Sequence, residues 1–175
     1  MRAARRSFSK TMVRSAAARN ASSFAVYGKS LYPDGTFTLR LTYGSVKGYA
    51  MNGTIAPPRT TLYGLYDRSE GFDHKPPFDL TARFIQGRER LNLAAPFNFV
   101  ATLDVVGGNS GSPVINRKAE LVGLVFDGNI ESLVGNFVFN EENNRAVMVH
   151  PAAMLEALRK LYGAAPLAEE IEGRK

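Results

Sequence analysis

Between Asn98 and His150 the chain is a series of short apolar runs cut by turn-forming residues. The runs are "NFVATLDVV" (98–106), "SPVINRKAELVGLVFDG" (112–128), "GNFVFN" (135–140) and "AVMVH" (146–150). β-Branched and aromatic residues fill them, and no run is long enough to be read as a helix. Within the second, "NRKAE" makes a tight hairpin between "SPVI" and "LVGLVF". Short antiparallel strands at this spacing bury one face each and need a partner layer, which predicts a mainly β barrel or sandwich.

The same texture is expected upstream. "FAVYG" reads as a strand and "PDG" (33–35) as a turn. "TFTLRLTYGSVKGY" places Phe37, Leu39, Leu41 and Tyr43 on one side and Thr38, Arg40 and Thr42 on the other, the pattern of a half-buried strand. "MNGT" is a further turn, and "TTLYGLYDR" a further strand or extended run. Residues 69–97 hold several prolines and mixed charge. They are expected to form a long surface loop with one short helix near "LTARFIQGRERL". After His150, Pro151 suits a first helical turn. Met154, Leu155, Leu158, Leu161 and Tyr162 form an apolar stripe, and Gly163 marks the stop. The expected divisions are a basic helical lead-in at 1–21, a β body at 22–150, and a terminal helix with its tail at 151–175.

The chain has 175 residues and a formal net charge of +6. The excess sits at one end. Arg2, Arg5, Arg6, Lys10, Arg14, Arg19 and Lys29 all precede the first acid, Asp34. The fifteen remaining basic residues face sixteen acids, so the rest of the chain is nearly neutral. The basic run lacks interleaved aromatics, so nucleic-acid binding is not expected of it; salt-sensitive DNA retention lost with residues 1–20 would show otherwise. Residues 1–20 also lack the apolar stretch of a signal peptide, and no run approaches the ~20 apolar residues of a membrane span. Without cysteine there is neither a disulfide framework nor a thiolate metal site.

"GGNSGSPV" (107–114) carries the chemistry. A glycine-rich turn lets a serine project into a cleft and aims successive backbone N–H groups at one point. Ser110 is therefore a candidate nucleophile, with the N–H groups of Gly108 and Ser110 as an oxyanion hole. On the octapeptide alone, an ordinary Gly/Asn/Ser turn between strands stands equally open. A nucleophilic serine needs a base, and the sequence offers only His74, in the long loop, and His150, before the final helix. Both are expected to be surface or capping residues. Asp127, in "FDGN", reads by itself as a turn aspartate.

"GGNSGSPV" followed by "AELVGLVFDGN" resembles the nucleophile region of trypsin-fold serine peptidases. With "LYPDGTFTLRLTYGSVKGY", "KPPFDL", "PFNFVATLDVV" and "RAVMVHPAAMLEALRKLYGA", the chain over 22–171 is similar to the bacterial dipeptidyl aminopeptidases typified by dipeptidyl-peptidases seven and eleven. HtrA-like proteases share "GNSG" but not the "YPDGTFTLR" or "FDGN" blocks.

The resemblance implies the second antiparallel β-barrel of a two-barrel trypsin-like peptidase, preceded by the end of a helical region and followed by the terminal helix. It implies a nucleophile at Ser110, an oxyanion hole at Gly108 and Ser110, an anchor for the substrate's α-ammonium at Asp127, and an S1 lining at Gly128. An arginine at that last position marks the branch that takes acidic P1 residues, so glycine implies an apolar P1. Asn109, where animal trypsin relatives carry an acid, implies no activation through a new N-terminus. The triad histidine and aspartate lie in the family's first barrel and have no match here. The chain alone is therefore expected to be inactive, and its partners to be peptides with a free N-terminus, the first barrel, and a second copy in a homodimer. No cofactor or metal is implied. A periplasmic or secreted location follows from the family. The alternatives are a non-catalytic barrel that binds a partner protein and a fragment of an HtrA-like endopeptidase.

Overall fold

The structure, a computed structural model, describes residues 25–26, 39–136 and 139–173. The expected lead-in helix at 1–20, the "PDG" turn and most of "FAVYG" lie outside the described residues. Ala25 and Val26, inside "FAVYG", are helical rather than extended. The backbone divides into a unit ending at Leu41 and a unit from Thr42 onward, and the second holds both sheets.

A two-stranded hairpin comes first, β1 (Tyr49–Met51) with β2 (Thr54–Ala56). Asn52 and Gly53 make its turn, both in the left-handed region that two-residue hairpin turns require. The main sheet follows. Its strands are β3 (Arg59–Thr61), β4 (Pro96–Ala101), β5 (Pro113–Ile115), β6 (Leu121–Gly128) and β7 (Ala146–Val149). They run antiparallel in the order β3-β4-β7-β6-β5. The helices are α1 (Leu62–Gly71), α2 (Ala82–Gly87), α3 (Pro151–Lys160) and α4 (Ala165–Ile171), with 3₁₀ turns at Arg88–Arg90 and Ile130–Asn136.

The mainly antiparallel β class is present, but the closed barrel is not. Among the described residues β3 and β5 are open edges, whereas a barrel requires its first and last strands to pair. The stretch expected to supply the leading strand forms no ladder over 39–48. One isolated bridge, Val46 to Ala101, ties it to β4. Tyr43, the one apolar residue of that alternation within the second unit, is 88% exposed.

Three further segments depart from expectation. "TTLYGLYDR" is strand only to Thr61 and then becomes α1. Leu62, Tyr66 and Ser69 are buried at helical spacing, and Gly64 in their midst obscured that period. β4 stops at Ala101, so Leu103–Val106 continue as irregular chain. Of the strand expected at 135–140, Gly135 and Asn136 end a 3₁₀ turn, and residues 137–138 lie outside the described residues. The short helix expected in the 69–97 loop is α2, and the hairpin at "NRKAE" joins β5 to β6. The terminal helix is present as α3, with Pro151 in its first turn and Gly163 at φ +63 beyond its end. A second helix, α4, follows it.

Two apolar clusters hold the body together. Leu62, Tyr66, Leu91, Ala95, Ala153 and Leu161 bring α1, the 69–97 connection and α3 together. Phe99, Ala101, Val125, Ala146 and Met148 fill the centre of the sheet. Met148 is fully buried, a contribution of about 1.5–3 kcal/mol. Val105 and Val114, which flank the Ser110 loop in the sequence, pack against this second cluster.

Candidate active site

The Ser110 loop is built by glycine conformation and braced by one asparagine. Gly108 has φ +102 and Gly111 φ +86, backbone states that a side chain disfavours. Nothing lies within 4 Å of where a Cβ on either would sit, so conformation rather than space demands glycine. Asn109 Oδ1 accepts the Val106 N–H at 2.9 Å, and its own N–H donates to Val106 O at 3.2 Å. Its carbonyl accepts the Ser112 N–H at 2.9 Å. The loop is then fastened to β6: Gly111 N–H donates to Val125 O at 2.7 Å, and Val125 N–H to Ser112 O at 3.0 Å.

This bonding leaves specific donors free. Among the described residues, the N–H groups of Gly107, Gly108 and Ser110 meet no protein acceptor, and the Ser110 hydroxyl has no partner. Gly107, Gly108 and Ser110 are exposed, so these donors are open to solvent or to a ligand, and open backbone donors are what an oxyanion requires.

The end of β6 supplies the other side. The β6–β7 register passes from Val125↔Met148 to Asp127↔Val147, so Phe126 is the extra residue of a β-bulge. A bulge bends its strand and re-aims the side chains that follow. Asp127 Oδ1 accepts the Gly128 N–H at 2.8 Å, and the carboxylate is exposed. A cavity of about 200 Å³ opens between loop and strand, with Ser110, Asp127 and Gly128 in its lining beside Phe126, Ser132 and Leu133. Three of the four site residues named from sequence thus meet around one space. The fourth, Gly108, sits in the loop without lining it.

Neither histidine belongs to this cavity. His74 Nδ1 is 3.1 Å from Ser69 Oγ, and its Nε2 is 3.3 Å from Glu70 Oε2. His150 caps α3, its Nδ1 accepting the Ala152 N–H at 3.1 Å, with its ring edge-on to Phe99. An Nδ1 that accepts is unprotonated. Burial, and then the nearby Arg59, hold His150 below the ordinary histidine pKa.

Sequence reading missed Ser132, Phe126 as the bulge residue, and the support beneath them. Ser132 comes from the 3₁₀ turn at Ile130–Asn136, and its hydroxyl donates to Asn129 O at 2.6 Å. No periodicity marks it. A Cβ on Gly128 would press directly on Ser132 Oγ, so the absent side chain at 128 and the serine at 132 occupy adjoining space.

Comparison with known proteins places the chain. The model of the family Peptidase S46 matches residues 1–173. The chain belongs to the peptidase S46 family. The dipeptidyl-peptidase 7 of Phocaeicola vulgatus is 39% identical to this S46 chain over 148 residues, 79% of this chain and 20% of that protein. The Asp/Glu-specific dipeptidyl-peptidase of Porphyromonas gingivalis is 33% identical over 147 residues, 80% of this chain and 20% of that protein. The crystal structure of Porphyromonas endodontalis DPP11 in complex with substrate superposes with a TM-score of 0.69 at 30% identity, covering 87% of this chain and 23% of that one. The S46 chain therefore spans about a fifth of the length of the relatives it matches.

Proposed function

We propose that this S46 chain is the nucleophile-bearing part of a serine dipeptidyl peptidase that releases dipeptides from peptides with a free N-terminus. The observation that carries the reading is the cavity joining Ser110, from a loop with unpartnered N–H groups, to Asp127 and Gly128 at the end of a bulged strand.

In this reading Ser110 Oγ attacks the carbonyl of the second residue as a general base takes its proton. The N–H groups of Gly108 and Ser110 receive the oxyanion. The C–N bond breaks, the shortened peptide leaves, and water releases the dipeptide from the acyl-enzyme. Asp127 pairs with the substrate's α-ammonium and so counts two residues from the N-terminus. No metal or cofactor takes part.

The base is neither His74 nor His150, each of which holds a structural position away from the cavity. The histidine and aspartate of the triad come from polypeptide beyond this sequence, and the chain alone turns over little or no substrate. That remaining polypeptide packs where Phe126 and Leu133 of the cavity lining, and Ile130 and Val134 of the 3₁₀ turn that carries Leu133, are exposed. The sheet of this chain forms part of the second barrel of a trypsin-like pair. The divisions at 21/22 and 150/151 belong to the same reading, as do a homodimeric complete enzyme and a periplasmic or secreted location.

P1 preference follows residue 128. Relatives named dipeptidyl-peptidase 7 and relatives named Asp/Glu-specific dipeptidyl-peptidase lie at similar identity to the chain, so overall likeness does not separate them. Gly128 puts no charge in the cavity, and Phe126 and Leu133 beside it favour an apolar P1 side chain. The test is hydrolysis of chromogenic dipeptides with apolar or acidic P1 by the chain alone and by the chain mixed with a polypeptide supplying the rest of a relative's length. Turnover that needs the mixture and is lost with Ser110→Ala supports the reading. Robust Ser110-dependent turnover by the chain alone overturns the split triad, and preference for acidic P1 overturns the role given to Gly128.

A further inference from the structure

We infer that Arg145 is a positioning residue for the Asp127–Ser132 wall of the cavity, acting through Asn129; as a statement about substrate binding this rests on the peptidase reading above. Arg145 is 1% exposed, among the largest fully buried side chains described. It pairs with no carboxylate among the described residues. Backbone carbonyls surround it instead. Nε donates to Lys47 O at 2.9 Å, Nη1 to Glu141 O at 2.8 Å and Asn144 O at 2.7 Å, and Nη2 to Gly48 O at 2.9 Å and Glu142 O at 3.0 Å.

A buried cation without a counter-ion is costly unless its donors are satisfied, and here the guanidinium's donors are met by carbonyls from two separate segments. The cation is thus a cross-link between 47–48 and 141–144. Only a planar fork reaches all five carbonyls, whereas an ammonium offers three donors from a single point.

The second half of the relay is Asn129, 7% exposed. Its Oδ1 accepts the Arg145 N–H at 2.8 Å and its N–H donates to Arg145 O at 2.9 Å. Its Nδ2 donates to Asn143 O at 2.7 Å. Its carbonyl accepts both the Oγ–H and the N–H of Ser132. Asn129 follows Gly128 directly, and Ser132 lines the cavity. The guanidinium therefore fixes residue 145, residue 145 fixes Asn129, and Asn129 fixes the wall facing the substrate. The Ser110 loop has its own tethers, to Val125 and within itself, and takes no part in this relay.

The deciding experiment is amide hydrogen exchange on the 175-residue chain carrying Arg145→Lys or Asn129→Ala. Both variants are expected to speed exchange at Asn129 and Ser132 about tenfold or more while the β4–β7 ladder keeps its protection. Asn129→Ala leaves the guanidinium cross-link in place, so it reports on the relay even where Arg145→Lys folds poorly. Unchanged exchange at Asn129 and Ser132 in either folded variant overturns the proposal, as does loss of protection across the whole sheet in Asn129→Ala. In the reconstituted enzyme, Arg145→Lys is expected to raise KM about tenfold with kcat within about twofold, the mark of lost binding rather than lost chemistry. A fall in kcat with KM unchanged overturns the assignment. Absence of Ser110-dependent turnover in the wild-type mixture counts against the peptidase reading, and the exchange data then decide Arg145 by themselves.

Discussion

Ser132 stands against the face of Gly128 that a side chain would occupy, its hydroxyl turned to Asn129 O at 2.6 Å. Gly128→Ala should therefore lower stability by about 1–3 kcal/mol through overpacking, since no positive φ is involved. Ser132→Gly in the same chain should recover at least about 1 kcal/mol, because the two positions share one space. Urea titrations of the two single variants and the double variant measure the coupling. Additive losses would mean that the residues do not compete.

Gly108→Ala tests conformation alone. No atom lies near the new methyl group, yet φ is +102, so the loss of about 1–3 kcal/mol comes entirely from the backbone. Gly107→Ala meets the same open space without that φ and should stay within about 0.5 kcal/mol of wild type. Equal midpoints for the two variants would remove the conformational account of the loop.

His150 makes stability depend on pH in one direction. Its folded pKa lies below the ordinary 6.5 through burial and then Arg59, so the unfolded chain binds the proton more readily. Its contribution is fully present above pH 6.5. It is lost as pH falls from there through the lowered folded value, as the protonated ring also gives up the Ala152 N–H. His150→Asn keeps a capping acceptor and should flatten this dependence, while His150→Ala should cost about 1 kcal/mol at neutral pH. Thermal melts from about pH 5 to about pH 8, on either side of the ordinary histidine pKa, read both effects.

Asp127→Asn should weaken kcat/KM of the reconstituted enzyme for free-amine peptides by about 2 kcal/mol, the lower end for removing one partner of a charge pair, since the carboxylate is exposed in this chain. The residual rate on an N-acetylated peptide should not change. Equal losses on both substrates would show that Asp127 shapes the bulge rather than binding the amine.

A tight turn at "GGNSGSPV" was legible from residue types, since glycine permits the positive φ found at Gly108 and Gly111; which of its glycines adopt that φ was not, for Gly107 does not. Pro151 and Gly163 bounded α3 by the same kind of local rule. The helix α1 was less legible, because Gly64 breaks a helical reading of "LYGLYDR" that burial of Leu62, Tyr66 and Ser69 enforces. Alternation predicts a half-buried strand through Tyr43, yet Tyr43 is exposed, because alternation makes a strand only where another surface covers one face.

Local sequence thus determined the turn at Asn52–Gly53, the glycine-rich turn that carries Ser110, and the start and stop of α3, since each depends on allowed φ and on neighbours in the chain. Only the tertiary structure decided that Ser110 and Asp127, seventeen positions apart in the sequence, line the same cavity. It did so through the Phe126 bulge and the tethers from the loop to β6. It also turned Arg145 from one surface-type cation among many into a buried cross-link. Five carbonyls must converge to hold such a charge, and convergence of distant backbone is a property of the fold and not of any local stretch.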